Sequence, residues 1–213
     1  MINQIIPKSK LEIIKDRIKL IITNEMTAQK VLATASAVAD DIAYKEMLET
    51  FWNGDNLNIF KDRFQELQSE EYNAIIINPL EERDENGTLR ITKPESTFAI
   101  DFLARAKSDD NKRGDEAVNE LLQRVSGVIR MVFLTATYMR LGFDTTDKFI
   151  RRQNITSRKF YVPNSNDSDH VSGVTLTLQV DYDEEIIQSV PVILKGNDTI
   201  LSDSFNINTD TEE

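Results

Sequence analysis

The order of apolar patterns along this chain predicts an α+β fold. An N-terminal helical segment is followed by a mainly antiparallel sheet packed against a long amphipathic helix. Three observations carry this. Apolar residues recur at helical spacing over the first 70 residues. They alternate in twos around residues 98–103 and 174–182. Between these lies one long stripe of period 3.6, over 115–141. The boundaries follow: residues 1–70 helical, 71–185 an α/β core, and 186–213 a C-terminal hairpin with an acidic tail.

Each element has its own warrant. Ser9 and Glu12 form S-x-x-E, a helix-starting capping box, and Leu11, Ile14, Ile18, Ile21 and Ile22 follow at helical spacing. Thr27 is the expected cap of a second helix with the stripe Val31, Ala35, Val38 and Ile42, ending near Gly54. Leu57, Phe60, Phe64 and Leu67 predict a third, short helix. Tyr72–Leu80, with Ile75, Ile76 and Ile77, reads as a buried strand. Asn86-Gly87 is a turn signal, with Thr88–Thr92 as the return strand. Phe98, Ile100 and Phe102 give a further strand with one apolar face. Val118, Leu121, Leu122, Val125, Val128, Ile129, Val132 and Phe133 then define the long helix. Asp115 and Glu116 stand at its start, where the helix dipole favours acids, and Gly142 lies just beyond its end.

Residues 144–170 read as irregular, with a short strand at Lys159–Val162 and a polar run at 164–170. Val174, Leu176, Leu178, Val180 and Tyr182 alternate with Thr175, Thr177, Gln179 and Asp181, predicting a strand with one wet face. Residues 189–207 are expected to form a hairpin around Gly196-Asn197-Asp198. Pro191 marks an edge strand or bulge there.

Composition narrows the function. The 213 residues are 40% hydrophobic and 29% charged, as in ordinary globular chains, and carry a formal net charge of −11. That charge opposes nonspecific binding to nucleic acid, which relies on lysine and arginine neutralising phosphates. With no cysteine, disulfides and thiolate metal sites are excluded. No stretch reaches the roughly 18 apolar residues of a membrane helix, and the first 20 residues lack the pattern of a signal peptide. Cytoplasmic synthesis with no membrane partner is the expectation.

His170 is the single histidine, in a polar run with Asp167 and Asp169, and reads as a solvated loop residue rather than a metal ligand. None of the seven glycines belongs to a phosphate-binding motif, and no serine sits in a nucleophile elbow. Asp181, Asp183 and Glu184, with Glu185, form an acidic strand end; paired carboxylates can serve a cation, but a solubilising strand end is the commoner role. The expectation is no catalytic residue, no metal and no cofactor. The most informative polar feature is basic: Lys148, Arg151, Arg152, Arg158 and Lys159 gather beside Phe160 and Tyr161. Such a segment reads first as an ordinary solvated loop; it also suits an acidic protein surface such as this chain's own, met head to tail, and after that nucleic acid. These basic and aromatic residues, with Asp181, Asp183 and Glu184, are the candidate interface.

The order of elements adds a resemblance. Strands at YNAIIINPL (72–80) and STFAIDFLARAK (96–107) precede the helix DEAVNELLQRVSGVIRMVFLTATYMRLGF (115–143). A basic irregular segment and the strand VSGVTLTLQVDYDEE (171–185) follow. This resembles the tail-terminator and neck (tail-completion) proteins of bacteriophages, over residues 72–185. The resemblance implies a virion protein made in the host cytoplasm and assembled as a homo-oligomeric ring at the head–tail junction. Its partners would be portal, neck or tail proteins, and it would have no enzymatic activity. A nucleic-acid-associated role for 148–159 is the alternative.

Overall fold

The computed structural model describes residues 9–63, 67, 71–85, 91–108, 113–143, 149–162, 164–166 and 169–185. The fold is α+β, as the periodicities predict. The elements are α1 (Lys10–Ala35), α2 (Ala39–Glu49), β1 (Trp52–Asn53), β2 (Asn56–Leu57), β3 (Ile59–Lys61), β4 (Ala74–Glu85), β5 (Ile91–Lys107), α3 (Gly114–Phe133), β6 (Ile150–Phe160), β7 (Asn164–Asn166), β8 (Asp169–Tyr182) and β9 (Glu184–Glu185).

Helix α1 begins where the capping box places it. Ser9 N donates to Glu12 Oε2 at 2.8 Å, and Glu12 N donates to Ser9 Oγ at 3.2 Å. Ile14, Ile18, Ile21, Ile22 and Met26 are its buried face. It does not stop at Thr27, whose hydroxyl donates to the Thr23 carbonyl and leaves the helix intact. The predicted second helix is therefore split: its first half prolongs α1, and its second half is α2. Val31, Val38 and Ile42, expected to face the core, are exposed. Gly54 ends no helix. Its left-handed φ of 61° makes the two-residue turn between β1 and β2.

The predicted third helix is absent. Leu57 lies in β2, and Ile59–Lys61 forms β3, parallel to β4. A helical spacing of 57, 60, 64 and 67 coexists here with an alternation in which Leu57 and Ile59 are buried, and pairing with Ile75–Ile77 decides for strand. Phe64 and the Asn86-Gly87 turn lie outside the described residues. The strands expected at 88–92 and 98–103 are one 17-residue strand, β5, antiparallel to β4 from Ala74↔Leu103 to Glu85↔Lys93.

Among the described residues the main sheet runs β3-β4-β5-β8-β6. β7 adds to β8, and β9 continues the pairing with β5. One face meets the helices. Ile75 and Ile77 of β4, Phe98, Ile100 and Phe102 of β5, and Val174, Leu176, Leu178, Val180 and Tyr182 of β8 are all fully buried. They share one core with α1 and with Val118, Leu122, Val125 and Ile129 of α3. The N-terminal helix is thus part of the same core as the sheet. The strand predicted at 174–182 is present, with the Thr175, Thr177, Gln179 and Asp181 face half-buried rather than fully wet.

Helix α3 is shorter than the predicted 115–141. Leu134 N lies within reach of three preceding carbonyls, and Thr135 turns extended. A 3₁₀ turn over Ala136–Tyr138 follows, then Leu141 and Gly142 in left-handed conformation. Arg17 of α1 fixes this reversal, donating to the carbonyls of Leu141 (2.8 Å) and Gly142 (2.6 Å). The largest departure from expectation is β6. Residues 150–160 are not irregular but form an 11-residue strand paired with β8. The alternation is masked because β6 is an edge strand with register shifts at Ile150/Arg152 and Ile155/Ser157, each inserting a residue. The 189–207 hairpin and the acidic tail lie outside the described residues.

A candidate interaction surface on strands β6 and β8

The register of β6 on β8 decides where each candidate residue points. Arg152 lies opposite Asp181, Gln153 opposite Val180 and Ile155 opposite Leu178. Ser157, Arg158, Lys159 and Phe160 lie opposite Thr177, Leu176, Thr175 and Val174. Residues paired with the apolar row of β8 turn toward the helices. Those paired with Thr175, Thr177, Gln179 and Asp181 turn to the opposite face, which none of the described helices covers.

The predicted basic and acidic groups meet within one chain. Arg151 lies 3.2 Å from a carboxylate oxygen of Asp183, and Arg152 lies 3.0 Å from one of Asp181. The bulge at Arg151 makes both pairings attainable: the extra residue lets two consecutive arginines address Asp181 in β8 and Asp183 just beyond its end. Arg152 remains 67% exposed while its partner Asp181 is only 14% exposed, so the guanidinium forms the outer lid of the pair. Glu184 enters β9 opposite Thr92. Lys148 lies outside the described residues.

Arg158 behaves differently. Its guanidinium crosses to α3, donating to the Gln123 carbonyl and the Ser126 hydroxyl, each at 2.7 Å, and stacks on Phe160 at 4.5 Å. Burial, aided by nearby Arg130, lowers its pKa from the usual arginine value. It is an internal strut between edge strand and helix rather than a contact offered outward. Lys159 instead lies over the Tyr161 ring at 5.1 Å. Tyr161 and Phe160 are each 45% exposed and Val162 is 89% exposed, so the strand ends on an uncovered apolar tip.

One group on the open face escaped the sequence reading. Asp101 of β5 accepts a short hydrogen bond from the Thr175 hydroxyl, which lies 3.3 Å from the Tyr161 hydroxyl. Burial raises the Asp101 carboxyl above its ordinary pKa, against the opposing pull of the Thr175 hydrogen bond. A carboxyl dried by its surroundings at the middle of a helix-free sheet face has no motif. The only trace in the sequence is an acid alternating with Ile100 and Phe102.

His170 is not a solvated loop residue. It lies in β8 against the start of α3, where a Cβ added at Gly114 would come within 2.3 Å of its Cδ2. Ser108 Oγ stands 3.4 Å from His170 Nε2 and accepts from Gly114 N at 3.0 Å. This cluster joins β5, β8 and α3. Asp167 lies outside the described residues. Among the described residues, no three histidine, aspartate or glutamate side chains converge as a metal site, and no helix is long and apolar enough to cross a membrane. The chain matches no protein-family model and no curated protein.

Proposed function

We propose that this chain is a structural protein that works by assembling with copies of itself and with other proteins. Its specific form would be a ring at a bacteriophage head–tail junction, as a neck, connector or tail-terminator component. The observation that carries the reading is the placement of exposed apolar side chains. They include Val31 and Leu32 of α1, Val38 and Ile42 at the start of α2, and Phe160, Tyr161 and Val162 at the end of β6. Groups of this kind on a soluble surface mark contacts with other proteins. The element order of residues 72–185 supports the virion assignment, and the ion-paired strands β6 and β8 supply a rigid mount. Exposed ion pairs contribute only about 0–1 kcal/mol each, so apolar contact holds such an assembly while charge orients it.

Because Arg151 and Arg152 already face carboxylates of the same chain, the nucleic-acid reading of 148–159 is the weaker one. Light scattering of the purified protein, alone and with portal or tail components, tests the proposal. A discrete multimer, or incorporation into those components, is expected. A strict monomer that joins neither overturns it. Salt-sensitive DNA binding lost in an Arg151→Ala, Arg152→Ala variant replaces it with the nucleic-acid role.

A further inference from the structure

The C-terminal third of α1 forms one wall of an apolar groove. Thr27, Lys30, Val31, Thr34 and Ala35 line it from the helix, and Trp52 of β1 closes the far side, around a volume of about 550 Å³. Pockets of roughly 300–1,000 Å³ are the size that accepts a drug-like molecule or a short peptide anchor. Lys30 holds the Trp52 ring in place, its ammonium 5.0 Å from the ring centroid and 3.6 Å from Glu49. Val31 and Leu32 are 62% and 65% exposed, so the wall continues onto an open apolar surface.

We propose that residues 186–194 of one copy seat in this groove of the next copy. The inference deepens the assembly reading above and rests on it. Three observations select the occupant. The segment reads IIQSVPVIL, a nearly unbroken apolar run directly after the acidic end of the sheet, and it matches an apolar groove. Pro191 within it disfavours a helix and suits an extended peptide, with Val190, Val192 and Leu194 on one side. The third observation is position. The chain leaves the sheet beside the N-terminus of α1: Asp183 N donates to the Phe149 carbonyl, and Lys10 lies over the Phe149 ring. The groove lies at the opposite end of α1, roughly 30 Å away at 1.5 Å per residue. Donor and acceptor at opposite ends of one subunit make a heterologous contact, the type that closes into rings.

The sequence contains a single tryptophan, Trp52, so occupancy of the groove is readable in the full-length protein by its fluorescence. The test compares wild type with Val31→Asp, which disables the groove at an exposed position, and Val192→Asp, which disables the segment and leaves the groove intact. Light scattering and Trp52 emission are read for each. Wild type is expected to be multimeric. Each variant alone is expected to be monomeric with red-shifted emission. An equimolar mixture is expected to give a dimer, because an intact segment on one chain meets an intact groove on the other and both outer ends are dead. Multimers of unchanged mass in both variants overturn the inference and leave the assembly reading standing on another surface. A monomeric wild type whose emission still responds to Val192→Asp places the segment in its own groove and overturns the second-copy occupant. A monomer with unresponsive emission overturns this inference, and overturns the assembly reading as well when the protein also fails to join portal or tail components.

Discussion

Replacing Gly114 by alanine tests how α3 is seated on the sheet. Two effects oppose each other. Alanine is favoured over glycine in a helix by roughly 0.5–1 kcal/mol. The new methyl, however, would stand 2.3 Å from His170 Cδ2, and 3.0 Å from both His170 Cγ and Ser108 N. Relief needs about 1 Å of movement. The nearest obstacle is an imidazole ring held in the β8 ladder, not the free end of a long chain. Overpacking of this kind costs about 1–3 kcal/mol, so the steric term wins, and a net loss of about 1–2 kcal/mol is expected. For a domain of this size, that lowers Tm by roughly 2–8 °C. In a His170→Ala background the ring is gone and only the 3.0 Å approach to Ser108 N remains, so the same substitution should cost markedly less. The double-mutant cycle, read by urea denaturation with circular dichroism, isolates the contact. Equal effects of Gly114→Ala with and without His170 would refute the packing argument.

Other expectations are separately measurable. Asp101→Asn should stabilise the fold at neutral pH. The carboxyl's pKa is raised in the native state, so its ionised form costs stability above that pKa, and the advantage should fade as pH falls toward the ordinary value of 3.8; unfolding free energies across pH check the sign. Arg158→Leu should cost about 1.5–3 kcal/mol by denaturant unfolding, since it removes charged donors from the Gln123 carbonyl and Ser126. Arg152→Ala should change stability by at most about 1 kcal/mol, and less at high salt, because its guanidinium is largely solvated.

What the sequence disclosed follows from how strongly each pattern is constrained. The capping box at Ser9 and Glu12 and the alternation of β8 are legible because one local arrangement satisfies them. Residues 57–61 misled because Leu57 belongs both to a helical series with Phe60, Phe64 and Leu67 and to an alternation with Ile59, and only the parallel partner at Ile75–Ile77 settles it. Strand β6 was hidden by its two inserted residues. Each flips the inward set, so Arg151 and Thr156 break an alternation that Gln153, Ile155 and Arg158 otherwise keep. Of the candidate surface, residue types and neighbourhood were legible. That Arg151 and Arg152 find their acids in the same chain was not, because that pairing depends on a register contributed by residues some thirty positions away.

The grip of Arg17 on Leu141 and Gly142 joins residues 124 and 125 positions apart, and this sets a schedule for synthesis. Helix α1 emerges from the ribosome before the sheet, yet its inner side is finished only by residues translated near the end of the described core. At roughly 5–20 residues per second, Ile18 and Ile22 wait on the order of ten seconds or more for the strand carrying Val180 and Tyr182. During that interval, a greasy helix with no lid is present in the cell, so truncated or stalled chains of this protein should be the ones that engage chaperones.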